Sequence, residues 1–170
     1  DDSTRYLMVN YVVGDTNVST GKHVSGTFHM PDMGVMDTDT SGRIYAAWMD
    51  YYNDKAMVFF AQAADTVFAF TPRVCVDSMV YGTGTEWLIF PDIAVSPSGE
   101  NIFIVYNRYF FTDSIVDSVW TEFVFSDDFG NTFAAPQKLT TPNNYCFDPD
   151  IDADANNAYI SYTMMDGGTS

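Results

Sequence analysis

Four aspartates alternate near the C-terminal end of the chain: Asp148, Asp150, Asp152 and Asp154. On a continuous β-strand, residues at that spacing share one face. Four like charges on one face repel unless water or a cation neutralises them, so this group is the first candidate metal site, for Ca²⁺. A second oxygen-rich stretch, Asp37-x-Asp39-x-Ser41-Gly42, has the opening of a Ca²⁺ loop, with Ile44 in the usual apolar place. Its twelfth position is Trp48, where such a loop closes with a bidentate Glu. It therefore reads as an Asx-rich hairpin turn, and nothing in the sequence requires a cofactor. Nucleophilic catalysis has little to draw on. His23, His29, Cys75 and Cys146 adjoin no nucleophile, metal-ligand or redox motif, and no Gly-rich phosphate loop follows a strand.

The elements that must position these groups are strands. Of 23 acidic residues, 20 are Asp and only Glu86, Glu100 and Glu122 are Glu. Leu, Glu, Lys and Gln together number 11 among 170 residues, too few for several solvent-facing helices. Val, Ile, Tyr, Phe and Thr fill the apolar runs, and Asp, Asn, Ser and Gly fill the gaps between them. The fold class is all-β.

A repeat near sixty residues organises these runs. Pro-Asp followed by an apolar residue occurs at Pro31-Asp32-Met33, Pro91-Asp92-Ile93 and Pro149-Asp150-Ile151. Each copy passes through a polar turn into an apolar strand: Arg43 to Trp48, Asn101 to Tyr106 and Ala158 to Tyr162. Further β-rich runs, Val58 to Gln62 and Glu122 to Phe125, lead to Asp-containing turns and then to Pro-containing stretches, Pro72 to Val76 and Pro136 to Leu139. The unit reads as four antiparallel strands: one after Pro-Asp, one after the first turn, and one on each side of the Asp-rich turn. That is a β-propeller blade. The register divides the chain into the end of a preceding blade (1–30), two blades (31–90 and 91–148) and the first strands of another (149–170). It also sets Cys75 and Cys146 two blades apart, which favours free thiols. Two blades and two halves fall short of the four or more that close a ring. Either this is part of a larger propeller, or half-blades are completed between chains in a homo-oligomer or filament.

Ser126-x-Asp128-x-Gly130-x-Thr132-Phe133 resembles the Asp box of bacterial neuraminidase (BNR) repeats, S-x-D-x-G-x-T-W, with Phe in the aromatic place. A degenerate copy lies 63 residues earlier, where Asp65 and Phe70 remain while Ala63, Val67 and Ala69 replace Ser, Gly and Thr. The resemblance implies a sialidase-like propeller in which this box is a structural hairpin between a blade's third and fourth strands, away from the substrate face. Asp128 is expected to accept backbone N–H bonds, Gly130 to supply a positive φ, and the aromatic to pack back under the blade. Sialidase chemistry, which the resemblance also implies, needs an arginine triad, a Tyr nucleophile with a Glu partner, and an acid/base Asp. Arg5, Arg43, Arg73 and Arg108 are the only arginines, and no Arg-Ile-Pro motif is present. Arg108 and Tyr109, with Glu122, are the nearest candidates, and a solvated strand end is their simpler reading.

Two aromatic clusters, Tyr51-Tyr52 and Tyr109-Phe110-Phe111, follow a blade's second strand in equivalent positions and form a candidate contact surface for glycan or protein. The formal charge of −16 repels phosphate backbones and anionic lipid, so nucleic-acid and membrane-surface roles are excluded. No run approaches 18 uninterrupted apolar residues. The reading is a non-catalytic, secreted or cell-surface propeller module for binding or assembly. The alternative is a fragment of a sialidase-like glycosidase or glycan-binding propeller.

Overall fold

The computed structural model describes residues 8–9, 12–13, 17–18, 22–24, 31–52, 55–64, 69–80, 85–112, 115–141 and 145–165. All regular structure among them is β. Four short strands come first: β1 (Met8–Val9), β2 (Val12–Val13), β3 (Asn17–Val18) and β4 (Lys22–His23), with β1 antiparallel to β4 and β2 to β3. The first four-stranded sheet follows as a meander of β5 (Asp32–Thr38), β6 (Ile44–Tyr52), β7 (Lys55–Ala63) and β8 (Val74–Val80). The second repeats it with β9 (Thr85–Val95), β10 (Ile102–Thr112), β11 (Ile115–Ser126) and β12 (Gln137–Lys138). A hairpin of β13 (Tyr145–Ala153) and β14 (Ala158–Met165) ends the described chain.

The sheets stack face to face. The largest core joins Tyr45, Val58 and Phe60 of the first sheet to Leu88, Ile93, Ile104 and Tyr106 of the second. On the other face of the second sheet, Ala94 and Val105 meet Ile151 of the hairpin. On the other face of the first, Trp48, Met57 and Phe59 cluster with Val24. Each four-stranded sheet is thus covered on both sides. That is why β7 is a buried apolar run from Ala56 to Ala61 rather than an alternation of apolar and polar residues.

One expectation needs correction. The first strand does not begin after Pro-Asp in the second and third units: β9 and β13 start six and four residues before their prolines and run through them, whereas β5 starts at Asp32. Proline is tolerated there because each of these strands carries a bulge. Phe90 and Pro91 together oppose Tyr106, and Asp148 and Pro149 oppose Tyr162, so the missing N–H interrupts no ladder bond. In β5 the bulge falls at Met33 and Gly34, opposite Trp48. Its first residue is left-handed every time, at φ 50° for Met33, 55° for Phe90 and 49° for Asp148. An extra residue reverses the facing of everything after it. Leu88 and Ile93, an odd number of positions apart, therefore reach the same core.

The turns lock one sheet to the next. Thr40 donates through N–H and Oγ1 to the Pro97 carbonyl, and Gly99 lies against Tyr45 and Asp39. Gly99 has φ +78°, and a Cβ there would stand 2.2 Å from Tyr45 Oη and 2.6 Å from Asp39 Oδ2. Gly99→Ala combines a left-handed alanine with overpacking and should cost roughly 2–4 kcal/mol in urea unfolding. An unchanged midpoint would mean that this contact does not hold the sheets together.

Candidate functional site

The three bulges converge. Met33, Gly34 and Val35 of β5, Phe90, Pro91 and Asp92 of β9, and Asp148, Pro149 and Asp150 of β13 line one pocket of about 330 Å³. Phe90 N–H donates to Met33 Sδ at 3.4 Å, tying β9 to β5. Asp92 ties β9 to β13, accepting Ile93 N–H on Oδ1 and Ile151 N–H on Oδ2, both at 2.9 Å. Burial pushes the Asp92 carboxyl above its ordinary range against the pull of these amides, and the Asp150 carboxylate adds to the push. Pro91 and Pro149 are buried, whereas Asp148, Asp150 and the Phe90 ring are exposed. Every ionisable side chain lining the pocket is acidic.

The bulge also revises the expected aspartate face. With Asp148 and Pro149 set out of register, Asp148 and Asp150 flank the pocket, while Asp152 lies farther along β13 and accepts its neighbour Ala153 N–H at 2.8 Å. Asp154 is past the strand end. It caps its own hairpin, accepting Asn156 N–H at 2.7 Å, Asn157 N–H at 2.8 Å and Tyr159 O–H at 2.8 Å. The Asn156 amide foremost, then Asn157 and Tyr159, hold its carboxyl well below the usual range. The four do not form one cluster, and among the described residues no three His, Cys, Asp or Glu side chains are grouped to hold a metal ion.

In the loop from Asp37 to Gly42, protein donors occupy the carboxylates. Asp37 accepts Thr38 N–H and, across the sheet interface, Val95 N–H at 2.7 Å. Asp39 accepts Ser41 N–H and O–H, Arg43 N–H and Tyr45 O–H at 2.6–3.1 Å. Burial opposes the Asp39 charge, but these donors outweigh it and keep the carboxyl below its ordinary value.

Aromatic rings continue from the pocket. Tyr51 meets Trp87 edge-on, Trp87 meets Phe111, Phe111 stacks on Tyr109, Tyr109 meets Phe147, and Phe147 stacks on Tyr145, with centroids 5.7–6.3 Å apart. Burial and the nearby Asp148 carboxylate push the Tyr109 hydroxyl up to about 12. Of the expected contact surface, Tyr51, Tyr109 and Phe111 join this band, and Tyr109 is buried rather than displayed. Phe110 is half-buried, and the Tyr52 side chain lies outside the described residues. Trp87, Tyr145 and Phe147 complete the band. Each precedes a bulge on its inner strand, a position that a search for exposed aromatic pairs passes over.

Arg108 and Glu122 do meet, with Nε 2.9 Å from Glu122 Oε2, but Tyr109 is not with them. Alternation along β10 sends Tyr109 towards Phe147 and Arg108 towards the first sheet, where its Nη2 is 2.6 Å from Asp77 Oδ2. The tyrosine beside Arg108 is Tyr106, whose hydroxyl donates to Asp77 at 2.9 Å. Trp120 Nε1 donates to Glu122 at 2.8 Å, and Glu86 stands 3.7 Å from Arg108. Burial pushes Asp77 up despite Arg108, because one guanidinium serves several carboxylates. Burial works against the Arg108 charge, yet Asp77 and Glu122 outweigh it and raise Arg108. Arg43 donates to Gln62 at 3.1 Å, and Arg73 lies 4.9 Å over the Phe59 ring. Arg5 falls outside the described residues, so no arginine triad is assembled among those described.

The turn between β11 and β12 is braced by its own side chains. Ser126 O–H donates to Asp128 at 2.7 Å, and Ser126 Oγ accepts Gly130 N–H at 2.9 Å. Asp128 accepts Thr132 N–H at 2.9 Å and Thr132 O–H at 2.7 Å, and the Thr132 amide foremost lowers its carboxyl. Gly130 has φ 75° and abuts Phe60. Phe133 packs into the core that its own sheet shares with the preceding one, edge-on to Phe60 at 5.1 Å. Residues 65–68 of the degenerate copy lie outside the described residues. Cys75 and Cys146 are both free thiols, the first exposed and the second buried.

No protein-family model and no curated protein matches the sequence. Among solved structures, the Hadza microbial sialidase Hz136 has a similar fold, with a TM-score of 0.56 over 72% of this chain at 12% identity. The chain spans 30% of that protein's length. The likeness is one of fold: antiparallel sheets of sialidase type.

Two measurements test this description. Arg108→Met strands Asp77 and Glu122 without their cation and should lower stability by roughly 3–5 kcal/mol in urea unfolding. Adding Asp77→Asn and Glu122→Gln should restore much of it, and a wild-type midpoint for Arg108→Met would remove the network's structural role. Asp39 concerns acid. Its folded carboxyl lies below the 3.8 of an unperturbed one, so its stabilisation is complete above that value and lost as the pH falls through the folded value. Asp39→Asn should melt below wild type at neutral pH, with the gap narrowing as the pH falls below 3.8. A gap independent of pH would show that the carboxylate charge contributes nothing.

Proposed function

We propose that this chain is a segment of a β-propeller whose inner strands form a ligand-binding wall, and that it serves as a non-catalytic binding module. The observation that carries the reading is the convergence of three left-handed bulges on one pocket. Non-glycine residues in that conformation cost of order 1 kcal/mol or more each, and such strain collects where a binding geometry has to be held. The aromatic band from Tyr51 to Tyr145 extends the contact surface, in keeping with glycan or protein as partner. The hairpin between β11 and β12 acts as an Asp-box brace at the opposite strand ends and takes no part in binding. A secreted or cell-surface setting accords with the acidic, Asp- and Thr-rich composition and the scarcity of lysine. Among the described residues no helix is long and apolar enough to cross a membrane.

A second reading, part of a sialidase-like glycoside hydrolase, draws on the fold likeness to the Hadza sialidase. Against it, Arg108 is already held by Asp77 and Glu122, so a substrate carboxylate would have to displace buried partners. Retention on an immobilised panel of neutral, cationic and sialylated oligosaccharides, run beside hydrolysis of a fluorogenic sialoside, separates the two. Binding without turnover is expected, whereas turnover would favour the hydrolase and failure to bind any sugar would end the glycan reading and leave protein as the partner class.

The β13–β14 hairpin has two strands where each preceding sheet has four. We infer that the missing strands come from another chain or from the remainder of a larger protein. Native mass spectrometry of the 170-residue chain should show an oligomer if copies complete one another. A well-folded monomer would leave only the second source.

A further inference from the structure

The two incomplete surfaces of this chain match one another. We propose that the free edge of β14 takes the N-terminal hairpin (β1–β4) of a second copy, head to tail, so that two copies close one ring. This rests on reading the chain as a propeller segment and names the partner at its missing strands. Three observations lead to it.

The first is an edge whose counterparts are covered. β6 lies between β5 and β7, and β10 between β9 and β11, whereas β14 pairs with β13 alone among the described residues. Trp48, Tyr106 and Tyr162 stand opposite the three bulges and so hold one register position. Trp48 and Tyr106 are fully buried, yet Tyr162 is 41% exposed, and Tyr159, Met164 and Met165 of the same strand are exposed with it. An apolar strand with a row of unpaired backbone groups is a template for another strand.

The second is a sheet face covered only in part. Val24, next to β4, packs with Trp48, Met57 and Phe59 on the face of the first sheet turned away from the second. Met36, on β5, is 53% exposed. It stands opposite Ala46, the register position that Ile93 holds opposite Ile104 and Ile151 holds opposite Ile160. Ile93 and Ile151 are both buried against the preceding sheet. What would bury Met36 is the first two strands of a unit, and β13–β14 is such a pair without its last two. The N-terminal hairpin is the converse, an antiparallel pair in the place of a unit's last two strands.

The third is polar complementarity. Asp92 of β9 accepts Ile151 N–H of β13 at 2.9 Å. Asp150 follows its bulge as Asp92 does, opposite Ser161 where Asp92 is opposite Val105. Asp150 of one copy therefore stands to accept Met36 N–H of the next, repeating the same clasp. β4 consists of Lys22 and His23, while the β13–β14 hairpin carries Asp148, Asp150, Asp152 and Asp154 and no Lys, Arg or His. Opposite charge at the mating ends favours head-to-tail over like-to-like pairing. Each copy brings two four-stranded sheets, and each of two junctions completes one more, which exceeds the four that a ring needs.

The test is sedimentation equilibrium of the intact 170-residue chain beside Tyr162→Lys and Met36→Lys, with circular dichroism to confirm that each variant folds. Wild type should be a dimer. Each variant, exposed in the single chain but set to bury an unpaired ammonium at the junction, should raise the dissociation constant by at least about a hundredfold. Mixing the two variants should restore association, because one junction of a mixed pair joins an unaltered β14 to an unaltered β5. A folded wild-type monomer would overturn the second copy while leaving the segment reading, with the missing strands in the remainder of a larger protein. Dimers unaffected by either variant, or no rescue on mixing, would overturn the head-to-tail junction. Species that keep growing with concentration would overturn the two-copy ring. Dimers that scatter X-rays as an elongated particle rather than a disc would overturn the propeller reading itself.

Discussion

The edge strands β5, β9 and β13 lie side by side yet belong to separate sheets, so their facing backbone amides have no ladder partner across the gap. Buried N–H groups left without acceptors would cost about 1–3 kcal/mol each. Aspartate side chains fill this role: Asp37 reaches Val95 N–H, and Asp92 reaches Ile151 N–H. The same two residues also accept their own next amide, at Thr38 and Ile93. One short carboxylate thus fixes its local backbone and bridges to the following sheet. Asp32, Asp77 and Asp152 make the local half of this arrangement with Met33, Ser78 and Ala153. Glutamate, one methylene longer, suits neither geometry, which gives a physical sense to a chain with 20 Asp and 3 Glu. Much of the acidity is therefore architectural, spent within turns and between sheets.

Stacking sheets on both faces imposes a second demand. Each inner strand must present apolar residues to two neighbours and still curve, and the bulges meet that demand by resetting which way side chains point. Opposite the bulges of β5, β9 and β13 stand the aromatic residues Trp48, Tyr106 and Tyr162. The strain of Met33, Phe90 and Asp148 is held in place by the cores on either side. The junctions that join the sheets thus also shape the pocket.

Much of this was legible in the sequence. The scarcity of helix formers and the turn residues pointed to antiparallel strands, and two four-stranded antiparallel sheets are present, although β9 and β13 begin before the Pro-Asp positions that the repeat marked. The bracing of the β11–β12 turn could be read residue by residue, because Ser126, Asp128, Gly130 and Thr132 act on one another within a few positions. What could not be read depended on distance along the chain. Arg108 meets Asp77 across 31 residues, and Trp87 joins Tyr51 to Phe111 across a sheet boundary. Periodicity was misleading where a bulge intervened. Asp148, Asp150, Asp152 and Asp154 read as one face, but the bulge at Asp148 and Pro149 takes Asp148 out of register with Asp150 and Asp152, and Asp154 lies past the strand end. No glycine opens that bulge, so nothing in the residue types announced a left-handed backbone.

The two polar centres of the molecule differ in what they leave available. Around Arg108, a cation and its carboxylates lie mostly out of solvent, with Tyr106 and Trp120 donating to the same acids. Every strong group there already has a partner, and ligand chemistry would have to break those pairs first. Around Asp92 the balance is reversed: carboxylates gather without a cation, beside an exposed ring and an open volume. Interactions that are internally satisfied stabilise a fold, whereas those left incomplete are where a ligand gains binding energy. By that criterion the ion-pair network belongs to the scaffold, and function is to be sought at the bulged inner strands.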